Sequence, residues 1–132
     1  MRIDPRTHVS GVWVVRPDGS GLHQILRGLS GASDPVWSPD GSRLLVEWQG
    51  RLVVVRPDGG GERTIVSLSR DAHGALEDPQ PAWSPDGRWM VFCQVRAGGL
   101  GQSDIWLVGA DGRGLRRLTR SPGLDSDPSF RP

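Results

Sequence analysis

The chain of 132 residues contains no lysine, no asparagine and no tyrosine, and all 16 of its basic residues are arginine. That pattern reads as a GC-rich coding bias and carries little about function. Without asparagine there is no acceptor for N-glycosylation. The single cysteine, Cys93, excludes an internal disulfide, and its place in the apolar run "WMVFCQV" marks it as a small buried hydrophobe rather than a reactive thiol. The opening "MRIDPRTHVSG" has no apolar core of a secretory signal, and no run approaches transmembrane length, so no membrane insertion is expected. Net charge is only +1, which gives no global field to recruit nucleic acid or an anionic membrane.

Chemistry-bearing motifs are equally scarce. The three histidines, His8, His23 and His73, stand at no metal-ligand spacing, so neither a metal nor a cofactor is expected. The stretch "GLSGA" (28–32) resembles a nucleophile elbow around Ser30 but ends in Ala32 and lies between strands, where the elbow needs a strand-to-helix turn. "DGGGER" (58–63) is a hairpin and not a phosphate loop. The reading is therefore of a protein that is not an enzyme.

What the sequence has is turns: 19 glycines, 11 prolines and a returning Pro-Asp-Gly. It occurs in Arg16-Pro17-Asp18-Gly19, Ser38-Pro39-Asp40-Gly41, Arg56-Pro57-Asp58-Gly59 and Ser84-Pro85-Asp86-Gly87, with a weaker copy at Gly109-Ala110-Asp111-Gly112. Proline presets φ for the second position of a type I turn, aspartate suits the third, and glycine accepts the positive φ that reverses the chain. Apolar runs flank each copy, so these are hairpin connections.

The hairpins belong to a longer period. "VWVVRPDGSGLHQIL" (12–26), "LVVVRPDGGGERTIV" (52–66) and "IWLVGADGRGLRRLT" (105–119) align without gaps, with Ile25, Ile65 and Leu118 as the apolar anchors of their second strands. Between them stand "DPVWSPDGSRLLVEW" (34–48), "DPQPAWSPDGRWMVF" (78–92) and "DPSFRP" (127–132). Trp37 to Trp83 is 46 residues and Trp83 to Phe130 is 47. Each unit supplies four strands: a around Trp37 or Trp83, b at 44–48 or 89–95, c at 52–55 or 105–108, and d at 62–66 or 115–119. A four-stranded antiparallel unit at this period signals a propeller blade. The nearly continuous apolar b and c runs fit sheets covered on both faces.

These segments resemble the TolB-type, WD40-like propeller repeat, whose pattern is Pro-x-Trp-Ser-Pro-Asp-Gly, two apolar strands, Asp-Gly and Arg-Arg-Leu-Thr. The fold class expected is all-β, a β-propeller segment of four-stranded antiparallel blades in an incomplete ring. Its parts are an N-terminal extension (1–10), a partial blade of strands c and d (11–33), full blades at 34–77 and 78–126, and the first strand of a further blade (127–132). The resemblance implies a non-catalytic scaffold for a protein or peptide partner. It also implies a periplasmic or extracytoplasmic setting if the chain is part of a longer protein. The alternative is a substrate-gating propeller segment of a prolyl-oligopeptidase-like serine peptidase, lacking its hydrolase domain.

Strand alternation sorts the connections onto two faces, with tight Pro-Asp-Gly turns on one and mostly longer, more varied loops on the other, at 27–33, 67–77, 96–102 and 120–126. Variable loops on a rigid scaffold are where binding concentrates. The candidate binding residues are therefore Arg70, Asp71, His73, Glu77, Arg96 and Gln102. Asp34, Asp78 and Asp127, each before a proline at the start of strand a, are candidate acids of the channel mouth, with Asx-type loop bonds as the structural reading. Trp13, Trp37, Trp83, Trp89 and Trp106 read as core, and Arg113, Arg116, Arg117 and Arg120 as a solvated edge. An uncovered blade face carrying Val12, Trp13, Val14 and Val15 is expected to invite self-association.

Overall fold

A computed structural model describes residues 2–3, 10–25, 31–70, 72–74 and 78–132 of the chain. Among them are eleven strands and no helix. Blade one is β1 (Arg2–Ile3), β2 (Ser10–Val14) and β3 (His23–Ile25). Blade two is β4 (Ser33–Trp37), β5 (Leu44–Trp48), β6 (Arg51–Val55) and β7 (Arg63–Ser67). Blade three is β8 (Ala82–Trp83), β9 (Trp89–Val95), β10 (Ser103–Gly109) and β11 (Arg116–Arg117). Within each blade, strands pair antiparallel with their sequence neighbours, so blades two and three follow the a-b-c-d order. Arg2–Ile3, placed by the sequence in an extension, pairs with β2 in the position of a b strand.

The turns explain the pairing. In blade two the Gly41 N–H donates to Ser38 O at 2.9 Å, and the Ser38 hydroxyl donates to Asp40 Oδ1 at 2.6 Å while accepting from Arg43 N at 3.0 Å. Blade three repeats this: Gly87 N to Ser84 O at 2.9 Å, Ser84 Oγ to Asp86 Oδ1 at 2.6 Å and Trp89 N to Ser84 Oγ at 2.9 Å. Gly41 and Gly87 hold φ of 70° and 68°, the left-handed conformation that glycine takes without a Cβ penalty. Both serines are buried, so the residue that ties the turn together is the serine, a role the proline–aspartate–glycine reading did not assign.

Two apolar layers hold the blades face to face. Val12, Ile25 and Ala32 pack against Leu44, Val46, Val53 and Val55 between blades one and two. Leu45, Leu52, Val54, Ile65 and Val66 pack against Trp83, Met90, Phe92 and Val108 between blades two and three. Successive residues of β5 thus enter opposite layers, which is why its sequence is continuously apolar. Each fully buried aliphatic side chain contributes about 1.5–3 kcal/mol.

The layers also decide which expected core residues are covered. Trp83 lies between blades two and three and is buried, with its Nε1 donating to Val36 O at 3.2 Å. Trp37 and Trp89, read as core, are 46% and 38% exposed, and Trp13 and Trp106 are half-buried. Leu118 occupies the anchor position of Ile25 and Ile65, yet it is 48% exposed, and β11 stops before it. Of the blade face expected to be open, Val12 is buried in the first layer, Trp13 and Val14 are half-buried, and Val15 is exposed.

Candidate functional site

The loop that carries Arg70 and His73 and the loop that carries Arg96 and Gln102 meet in the fold. After β7 the chain runs through Arg70 to Gly74, and between β9 and β10 it runs through Arg96 to Gln102. The Ala72 N–H donates to Gly99 O at 2.9 Å, and the Gly98 N–H donates to Arg70 O at 3.3 Å. Gln94 Nε2 reaches Ser69 Oγ at 2.9 Å just below. Loops of two neighbouring blades therefore form one surface.

Arg70 and His73 are exposed on it, and Arg70 Nη1 donates to Gly74 O at 2.7 Å, which closes its own loop. Gln102 does a similar job, its Oε1 accepting from Leu100 N at 3.0 Å. Asp71 and Glu77 lie outside the described residues, as do residues 28–30 of the "GLSGA" stretch, Ser30 among them. The sequence reading missed Leu100, 74% exposed at the tip of "AGGLGQ", and Leu124, 66% exposed in the 120–126 connection that bridges to Ser103 on the same face. An isolated large aliphatic in a glycine-rich loop was the available signal.

Arg96 is committed to the interior of the loop. Asp104, 1% exposed at the start of β10, accepts from Arg96 Nε and Nη2, both at 2.8 Å, and from Arg117 Nη2 at 2.8 Å. Arg96 also donates to Ser121 O, and Arg117 Nε to Thr119 O at 2.8 Å, so both guanidiniums tie the 119–121 segment to the blade. The hydrogen bond from Arg96, joined by that from Arg117, holds the Asp104 carboxyl below its usual range against the opposing effect of burial. Asp104 in turn raises Arg96. Arg117 was read as part of a solvated edge; its partner is this buried carboxylate, and Arg113, Arg116 and Arg120 remain exposed. Ser121 Oγ donates to Asp125 Oδ1 at 2.6 Å and lowers that carboxyl as well.

The candidate acids do not form one repeating set. Asp34 and Asp127 both stand before a proline at φ 52°, and the residue in the matching conformation of blade three is Gln80, at φ 43° before Pro81. Gln80 keeps the repeat spacing, three residues before its tryptophan, whereas Asp78 sits two residues earlier. Asp78 Oδ1 accepts from Gln80 N at 3.0 Å, the Asx-type bond of the structural reading. Gln80 Oε1 accepts from Asp127 N at 2.9 Å, which joins this position to the corresponding one of the next unit. Among the described residues no group of three or more His, Cys, Asp or Glu side chains could hold a metal ion. No helix among them is long and apolar enough to cross a membrane.

Four-stranded antiparallel blades stacked through apolar layers, with Asp-Gly turns at one end and connections of varied length at the other, define a segment of a β-propeller. The comparisons with known proteins make the type specific. No protein-family model matches the chain. It is 37% identical to the Tol-Pal system protein TolB of Anaeromyxobacter dehalogenans over 117 residues, 86% of this chain and 25% of that protein. It is 37% identical to Tol-Pal system protein TolB 1 of Novosphingobium aromaticivorans over 82 residues, 62% of this chain and 16% of that one. The chain thus spans a quarter or less of the length of these relatives. The crystal structure of TolB from Acinetobacter baumannii superposes on 92% of this chain and 30% of its own, with a TM-score of 0.70 at 22% identity. The fold also matches part of the tricorn protease, with 83% of this chain covered and 11% of that one, a TM-score of 0.62 and 17% identity. The chain is a segment of a TolB-like β-propeller.

Proposed function

We propose that the chain is a non-catalytic protein- or peptide-binding segment of a TolB-like propeller, working in an extracytoplasmic compartment, and that it binds through the loop face of blades two and three. The observation that carries this reading is the joining of the 70–74 and 96–102 loops by backbone hydrogen bonds, with Leu100 exposed at the tip of the second. An exposed apolar side chain on a braced loop, beside the charged Arg70, suits a protein surface. The similar proteins are named for the Tol-Pal system, so the components of such a system are the first partners to test. The peptidase-gating alternative draws only on a shared fold, which hosts many functions.

The test is calorimetric titration of the purified chain with purified Tol-Pal components. A saturable interaction that Leu100→Glu and Arg70→Glu each weaken by about tenfold or more supports the reading. Absence of binding to every component, or binding indifferent to both variants, overturns it. Self-association belongs to the same proposal, since Val15, Trp37 and Leu118 offer exposed apolar surface on blades one to three. Light scattering during size-exclusion chromatography decides it, and a monodisperse monomer would remove that part.

A further inference from the structure

On the opposite end of the blades, away from the proposed binding loops, an open cleft of about 680 Å³ separates the tight turns of blades two and three. Its charge stands out in a chain whose net charge is +1: four arginines, Arg43, Arg63, Arg88 and Arg113, line it against a single carboxylate, Asp111. They come from four separate turns or turn edges, so only the fold gathers them. Two are fixed in the walls. Arg43 stacks over the Trp83 ring at 4.9 Å and donates to Gly87 O at 3.3 Å, and Arg63 donates to Asp111 O. The other two, Arg88 and Arg113, are exposed; among the described residues neither guanidinium donates to a protein acceptor, and Arg88 acts on the Asp86 carboxyl through charge alone.

The remaining lining is apolar or bare. Trp89 lies in the cleft, its ring placed so that a Cβ on Gly114 would come within 3.4 Å. Gly87 and Ala110 keep long side chains out of the walls, while at Gly109 the place of a side chain is already taken by Asp111 Oδ1 and Arg113 O. A tryptophan floor with free guanidiniums at its rim suits a ligand that has both carboxylates and an apolar side chain.

The rim limits the length of that ligand. Asp40, Asp58 and Asp86 stand in the same turns as Arg43, Arg63 and Arg88 but outside the cleft lining, and each is held in its ionised form by local hydrogen bonds: Ser38 lowers Asp40, the Gly60 N–H lowers Asp58, and Ser84 lowers Asp86. A long polyanion that ran out of the cleft would meet these carboxylates, whereas a short acidic segment would not. We infer that the cleft between the turns of blades two and three, with Arg88 and Arg113 as its free cations and Trp89 as its floor, binds a short acidic peptide segment carrying an apolar residue.

The inference goes beyond the loop-face reading and uses none of its residues, so either can fail alone. Fluorescence anisotropy on the full chain tests it, with a labelled short glutamate peptide that has a central leucine, its glutamine counterpart and a short oligothymidylate as probes. The expected result is binding of the glutamate peptide that salt weakens, little binding of the glutamine peptide, and a dissociation constant raised by about tenfold or more in Arg88→Ala/Arg113→Ala. Arg120→Ala, which removes a charge outside the cleft, should leave the constant unchanged. Four results would overturn the proposal: no binding by the parent chain, no loss in the double variant, an equal loss in Arg120→Ala, or tighter binding of the oligothymidylate.

Discussion

Blades two and three share one turn between strands a and b down to individual hydrogen bonds, but they join strands b and c in different ways. In blade two Trp48 pairs directly with Arg51, and Gln49-Gly50 turns the chain with φ of 50° and 75°. Both residues are left-handed, as a two-residue hairpin of the right twist requires. In blade three Val95 pairs with Ser103 and the connection spans 96–102. The position that is Arg51 in blade two, stacked over Trp48 at 4.9 Å, is Asp104 in blade three, buried between two arginines. A short turn sets its own geometry through backbone conformation. A longer loop needs something to brace it, and here that is a carboxylate reached from both sides. The difference teaches that a repeat can vary one connection for surface while its core period stays the same.

The sharpest way to break the comparison is to remove the brace. Asp104→Ala leaves two partly buried guanidiniums without their carboxylate; a full buried pair would cost more, and their partial exposure discounts the loss to about 2–3 kcal/mol. Urea denaturation of parent and variant measures it, and a loss under 0.5 kcal/mol would remove the brace from the account. Next, Gly41→Val and Gly87→Val should each destabilise by roughly 1–3 kcal/mol, because a β-branched residue resists the left-handed φ of both turns. The two losses should agree closely; a large difference would show that the shared hydrogen bonds hide unequal turns.

Acid sharpens the contrast further. Asp40 is lowered to about 2, chiefly by the Ser38 hydroxyl, and Asp18, Asp58, Asp86, Asp104 and Asp125 are also lowered. A carboxyl lowered on folding stabilises the fold above the unfolded value of about 4, and that contribution is lost as pH falls through the folded value. The thermal midpoint should stay level from neutral pH to about 5, then fall between about 4 and 2. Asp104→Asn should show a shallower fall than the parent. At the small end, Gln49→Asn should stabilise blade two by a few tenths of a kcal/mol, since asparagine tolerates the left-handed region better than glutamine. Arg51→Ala, which removes a surface ring contact, should cost about 0.5–1 kcal/mol.

Local chemistry was legible in the sequence. The b strands at 44–48 and 89–95 stand where the continuous apolar runs and the Pro-Asp-Gly turns placed them, and the antiparallel order follows from the turn spacing. What depended on strand register or on a neighbouring blade was not legible. Arg96, Asp104 and Arg117 sit on or beside three different strands, and only their pairing brings them together. Trp37 and Trp83 are equivalent in sequence, yet one is exposed and the other buried because different blades face them. Asp78 matched the Asp-Pro motif, but two inserted residues give its structural place to Gln80. The arginine cleft was invisible for the same reason, its members lying at 43, 63, 88 and 113.

The claim that one blade uses a turn where its neighbour uses an ionic brace is tested most directly by amide hydrogen exchange on Asp104→Asn beside the parent. The account predicts that protection falls across 96–107 and 116–121 while the amides of β5 and β6 keep parent rates. An even loss across both blades, or no loss in the 96–107 segment, would contradict it.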